Sequence, residues 1–153
     1  MTTLKSRIEA DIPKAMKEGD ELSKSTLRMI LAAIKNAEVA GSEAVTLNDD
    51  QVINVLRAEV KKRAESAEIY EQAGRTESAA KERNEITVIE HYLPAAMDAD
   101  ALAAVVAEAV AAAAANGQTG PKAMGVVIKA VKEKVGAAAD GAAIAAAVKN
   151  ALG

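Results

Sequence analysis

The stretch NDDQVINVLRAEVKKRAESAEIYEQAG, Asn48 to Gly74, decides the fold. Within it Leu56, Val60, Arg63, Ala67 and Tyr70 recur at alternating spacings of four and three residues. That is the a/d rhythm of helices packed side by side, and it is incompatible with a strand's alternation. Thr46 or Asn48 can cap the helix, and Asp49 and Asp50 in its first turn oppose the macrodipole. Gly74 ends it. So long a helix with one apolar seam needs partner helices.

The flanking segments supply them. Toward the N-terminus, a helix over 4–18 carries Ile8, Ile12 and Met16 on one stripe, with Pro13 predicting a kink or a restart after Asp11. A second helix over 22–40 buries Leu27, Ile30, Leu31 and Ile34, with Gly41 as its stop. On the C-terminal side, a fourth helix over 76–92 turns Ile86, Ile89 and Leu93 inward, and Pro94 closes it. Beyond Leu93-Pro94 charge thins and alanine rises. Asp98 caps a fifth helix with the stripe Leu102, Val105, Val106 and Val110, ended by Asn116-Gly117. Pro121 stands in the first turn of a sixth helix, with Met124, Val127, Ile128, Val131 and Val135 inward. Asp140 caps a seventh, burying Ile144, Val148 and Leu152. The expected class is all-α, with four helices in residues 1–93 and three in residues 94–153.

Composition narrows the chemistry. The 153 residues are half apolar, yet there is no Phe or Trp, so the core is aliphatic. A net charge of -3 does not advertise nucleic-acid affinity for the chain as a whole. Zero cysteines exclude disulfides, a thiolate nucleophile and a Cys-based zinc site. A cytoplasmic home is expected from this and from the absence of an apolar leader in MTTLKSRIEADIPKAMKEGD. ALAAVVAEAVAAAAA, Ala101 to Ala115, is too short for a membrane span and is interrupted by Glu108. No membrane partner is expected.

No nucleophile elbow, phosphate loop or dinucleotide-binding turn is present. His91 is the only histidine, and a lone His near a helix end is an ordinary surface or capping residue. No catalytic residue, metal site or cofactor is expected. Two features remain. Arg63 falls in the apolar seam, where an unpaired guanidinium is costly. It requires an ion pair with Glu59, one turn earlier, or with a carboxylate of a neighbouring helix, or else it marks an anion or partner site in a cleft. The second feature is KAMGVVIKAVKEKVGAAADG, Lys122 to Gly141. On a helical wheel Lys122, Lys129 and Lys132 occupy a sector of about 80° opposite the apolar side. From Gly117 onward five lysines face two acids. Such a face can follow a phosphate backbone or can simply be solvated. No aromatic stands there to stack a base.

Several segments, in this order and spacing, resemble the YqeY family. In the N-terminal part they are DIPKAMKEGD, LRMILAAIKNAE, AEVKKRAESAEIYEQAGR and HYLP. In the C-terminal part they are MGVVIKAVKEKV and ADGAAIAAAVKNAL. These are small proteins related to the C-terminal part of GatB, the tRNA-handling subunit of the glutamine-dependent Asp-tRNA/Glu-tRNA amidotransferase. The resemblance implies a helical N-terminal domain followed by a three-helix, UBA-like domain. It also implies that Met124, Gly125, Lys129, Asp140, Gly141 and Lys149 match positions of a tail that reaches tRNA. Gly125 would then allow close approach of a helix or backbone, and Asp140 would be a helix cap. The family often has a glycine and a basic residue where this chain has Ala137 and Ala138. The amidotransferase's catalytic body has no counterpart here, so carbon-nitrogen ligase activity with glutamine as amido donor is not expected of this chain alone. The leading expectation is a non-catalytic accessory factor contacting tRNA or another RNA through Lys122, Lys129, Lys132 and Lys149, associated with an amidotransferase or synthetase complex. The alternative is a protein-protein adaptor docking through its C-terminal helices. A monomer is expected, because no long exposed apolar seam asks for a second copy.

Overall fold

Helix formation dominates the computed structural model, which describes residues 2–95 and 97–153 and, at Ala137, the backbone only. Among the described residues no strand occurs, so the chain is all-α, as its periodicities require. The helices are α1 Leu4–Glu18, α2 Glu21–Glu38, α3 Asp49–Gln72, α4 Thr76–Glu90, α5 Ala99–Ala115, α6 Met124–Val135 and α7 Gly141–Leu152. Short 3₁₀ turns, Gly120–Ala123 and Gly136–Ala138, flank α6. The chain divides into two compact units, Met1–Leu93 and Pro94–Gly153.

In the first unit α3 and α4 fold back on each other through a turn at Gly74, whose φ of 78° is the left-handed conformation glycine permits. α1 packs on α2, and α2 on both α3 and α4. The core is Leu4, Ile8, Leu27, Ile30, Ile34, Val52, Leu56, Ile89 and Tyr92. Asn48 caps α3 in a reciprocal capping box with Gln51, which chooses between the two candidate caps. The Leu4 amide donates to Asp49 Oδ1 at 2.9 Å, so the starts of α1 and α3 are tied together.

Four expectations are corrected. α1 runs unbroken through Pro13. The bond Pro13 cannot donate would have reached the Glu9 carbonyl, and both residues are exposed, so that carbonyl faces solvent rather than the core. Met16 is 54 % exposed, and Ala15 takes its place in the buried stripe. α2 ends at Glu38, before Gly41, because Glu38 is turned inward. Its carboxylate accepts from Lys5 Nζ at 2.7 Å and from the Leu47 amide at 3.1 Å, and its carbonyl accepts from the Val45 amide. α4 ends at Glu90 rather than Tyr92, and the turn that follows buries Tyr92 in the core and packs half-buried Leu93 against it.

The second unit packs α5, α6 and α7 against one another. Its core is wholly aliphatic: Leu102, Val106, Ala113, Ala123, Val127, Val131, Ala139, Ile144 and Val148. Asp98 and Asp140 cap α5 and α7. Pro121 stands in the first positions of the 3₁₀ turn Gly120–Ala123 rather than in α6 itself. Among the described residues no single helix is long and apolar enough to cross a membrane, and α5 is bent by 105° from the segment that follows.

Candidate functional site

The basic face lies on the second unit. Lys129 and Lys132 project from α6, while Lys122 belongs to the preceding 3₁₀ turn. The single-helix wheel therefore does not describe all three, because a 3₁₀ turn advances by about 120° per residue. All three are exposed, as is Lys149 on α7. Among the described residues no carboxylate lies within ion-pair distance of any of these four, whereas Lys134 is held by Glu108 at 2.6 Å. That lysine keeps the Glu108 carboxyl below its ordinary range. Lys132 leans toward α7, its Cε and Nζ standing 3.9 Å from where a Cβ on Gly141 would be. The Asp140 carboxylate accepts from the Ala143 amide at 2.7 Å and is a helix cap.

Gly125 does not make the close approach expected of it within this chain. Its φ is not positive, and nothing lies within 4 Å of an added Cβ. Met124 is half-buried against the second core. Ala138 is half-buried and its carbonyl accepts from the Met97 amide at 3.0 Å; the side chain of Ala137 lies outside the described residues.

Arg63 is in the first unit, 7 % exposed, and is brought together with Glu59 as the seam spacing suggested. Its Nη1 lies 3.5 Å from Glu59 Oε1 and donates to the Glu59 carbonyl at 3.2 Å. Its Nε lies 3.4 Å from Glu85 Oε2 on α4, without hydrogen-bond geometry. Nη2 reaches the Met29 thioether on α2 at 3.9 Å. The guanidinium thus sits between two carboxylates and a sulfur, tying α2, α3 and α4. Glu85 is 5 % exposed and was not legible as buried, because nothing in TESAAKERNEITVIE distinguishes it from the other acids of α4.

A second polar cluster also escaped the sequence. The Tyr92 hydroxyl donates to Asp11 Oδ2 at 2.5 Å across 81 residues of chain. The Arg7 guanidinium lies 5.5 Å from the centre of the Tyr92 ring, and His91, at the end of α4, meets that ring edge-on at 5.6 Å. The Tyr92 hydrogen bond, more than Lys14 and Arg7, holds the Asp11 carboxyl below its usual range. Burial first, then Asp11, pushes the Tyr92 phenol well above its own. The signal for this pairing was present only as two separate motifs, DIPKAMKEGD and HYLP.

The chain matches known proteins along most of its length. The sequence model of a family described as "Yqey-like protein" matches residues 5–152. Curated relatives include "Altered inheritance of mitochondria protein 41, mitochondrial" of Clavispora lusitaniae, 34% identical over 62% of this chain and 56% of its own length. The protein of the same name from Lachancea thermotolerans is 29% identical over 62% of this chain and 52% of its own. That from Kluyveromyces lactis is 32% identical over 56% and 45%. The matched part spans about half the length of these relatives. Their names overturn the cytoplasmic placement expected from composition, since they are those of mitochondrial proteins. An aliphatic, cysteine-free, mixed-charge composition is compatible with any reducing compartment, so it could not discriminate between them. The match over residues 5–152 makes this chain a member of the YqeY family of Yqey-like proteins.

Proposed function

We propose that this YqeY-family chain is a non-catalytic accessory factor that contacts tRNA through its C-terminal unit, as a monomer working beside an amidotransferase- or synthetase-type complex. In this reading residues 94–153 form a UBA-like three-helix domain behind a four-helix domain of residues 1–93. The supporting observation is the set Lys122, Lys129, Lys132 and Lys149, exposed and without carboxylate partners among the described residues. The unit has equal numbers of lysines and acids. Four of those lysines are carried by α6, its preceding turn and α7 without an ion-pair partner among the described residues; of the acids, Asp98, Asp100 and Glu108 lie on or at the start of α5, while exposed Glu133 stands on α6 among the lysines and Asp140 caps α7. Unpaired lysines release counterions when they meet phosphates, which gives affinity without sequence readout.

The test is binding of bulk tRNA at low and moderate salt, with wild type beside a Lys122→Glu/Lys129→Glu/Lys132→Glu variant. Wild-type binding that falls steeply with salt is expected, with the folded variant failing to bind at moderate salt. Each lost phosphate contact lowers the slope of log K against log salt by about one. Equal binding by both proteins, or none by either, would leave those lysines as a solvated helix face.

A further inference from the structure

Residues 94–153 contain no arginine, no histidine and no aromatic residue, so lysine is the second unit's only cationic side chain. That restricts the nucleic acid it can take. An ammonium meets phosphate as a point charge, without the planar fork that grips a guanine edge. With no ring in the unit, an unstacked base has nothing to lie on, and stacking is what single-strand binders use.

Gly125 is an independent observation. It follows Lys122 by three residues and precedes Lys129 by about one turn, and at about 100° per residue its direction falls between those of Lys129 and Lys132. Glu133 lies about 40° beyond Lys129, on the flank away from Lys132, and Asp140 is engaged as the α7 cap. The stripe therefore contains a bare patch of helix backbone among its ammonium groups. Nothing inside the chain uses that patch. The φ of Gly125 is not positive, no atom stands within 4 Å of an added Cβ, and alanine would favour the helix more. In a unit whose small residues are mostly alanine, this glycine leaves room for a group from outside the chain.

We infer that this stripe takes the phosphate backbone of double-helical RNA in preference to single strands, with the strand passing over Gly125. The inference rests on the RNA contact proposed above. A stem presents its phosphates already in order. A single strand has to be ordered onto lysines held by three packed helices, with no stacking to offset that loss. A duplex also carries the denser charge and the more condensed counterions. On a log-log scale, affinity falls with salt by about 0.9 per phosphate contact for a duplex and about 0.7 for a single strand. Over the four lysines that difference alone favours the duplex by roughly ten-fold at about 50 mM salt. Stacking would offset this at about five-fold or more per base, and the unit has no side chain to provide it.

The experiment is fluorescence anisotropy of the full chain with a labelled blunt RNA duplex and with a labelled oligouridylate of equal phosphate number, at about 50 mM salt. The duplex is expected to bind roughly ten-fold more tightly, and Lys129→Glu/Lys132→Glu is expected to abolish that preference. Gly125→Ala is expected to melt no lower than wild type by circular dichroism, yet to bind the duplex roughly three-fold more weakly, and Gly125→Leu more weakly still. Three results would each overturn the inference while leaving an RNA contact standing. They are equal or tighter binding of the oligouridylate, wild-type duplex affinity in both Gly125 variants, and a duplex preference that survives the two lysine reversals. Binding of neither RNA by wild type would remove the RNA contact itself, and the inference with it.

Discussion

Tyr92 shows how much one side chain can decide. It is one of two aromatics in the chain, it completes the first core, and its hydroxyl finds Asp11 on α1. A hydrogen bond to a charged acceptor is worth more than a neutral one, so Tyr92→Phe is expected to cost roughly 2 kcal/mol at neutral pH. The pH dependence carries a signature. Asp11 has a depressed folded-state pKa, so its contribution is complete above the ordinary carboxylate value of about 4 and is lost as pH falls through the folded value. The Tyr92 phenol has a raised one, so its contribution is complete below its ordinary value of about 10 and is lost as pH rises above that. The stability difference between wild type and Tyr92→Phe should therefore be level from about pH 5 to 9 and shrink at both ends. Urea unfolding across that range measures it. A difference that stays constant down to about pH 2 would show that the hydroxyl and Asp11 are not partners in solution.

At the scale of elements, the extent of α3 and most of its inward face were readable from periodicity, but its cap was narrowed only to Thr46 or Asn48, Val52 was not read as buried, and the partners of its seam were not legible. Four-three spacing places Arg63 on the inward face, and elementary electrostatics demands a counter-charge there. Which acid answers depends on how α4 packs across α3, and Glu85 is one of several acids on that helix. Removing the cation leaves buried Glu85 without its ion-pair partner, while Glu59 keeps Lys62 at 3.6 Å. Arg63→Met is expected to destabilise the first unit by about 3 kcal/mol or more, and adding Glu85→Leu should restore most of that loss. Chemical denaturation of the two single variants and the double gives the coupling. Simple additivity would mean that the Arg63–Glu85 contact at 3.4 Å contributes nothing. Helix ends followed a similar division. Asn48, Asp98 and Asp140 cap where composition suggests, because a cap is a local hydrogen bond. The end of α2 does not follow Gly41, because a long-range partner, Lys5 on α1, draws Glu38 inward.

For the whole molecule, the two cores share no residue, and each is built from its own stretch of chain. We propose that residues 1–93 and 94–153 are separate cooperative domains. Ile30 and Ile144 are both essentially inaccessible, so truncation of either to Ala is expected to cost roughly 2 to 4 kcal/mol. Native-state hydrogen exchange should show Ile30→Ala accelerating the slowest amides of 1–93 and Ile144→Ala those of 94–153. Uniform acceleration over the chain by either change would refute two cooperative units. The smaller one has only aliphatic side chains to bury, and burial fraction falls with domain size, so its slowest amides are expected to exchange before those of the first.

By itself the sequence determined the class, the helices, most of their apolar faces and the family, because periodicity, caps and motif order are properties of neighbours along the chain. It also marked Arg63 as a residue needing an answer and Lys122, Lys129, Lys132 and Lys149 as a basic set. Only the tertiary structure decided which acids close on Arg63, that Tyr92 meets Asp11 and Lys5 meets Glu38, and that Lys134 is neutralised while the other four lysines stay open. It also decided that Pro13 is harmless, since the carbonyl it leaves unbonded points to solvent. The reason is common to all of these. A charge or a polar group is worth what its surroundings make of it, and those surroundings are assembled from residues far apart in the chain.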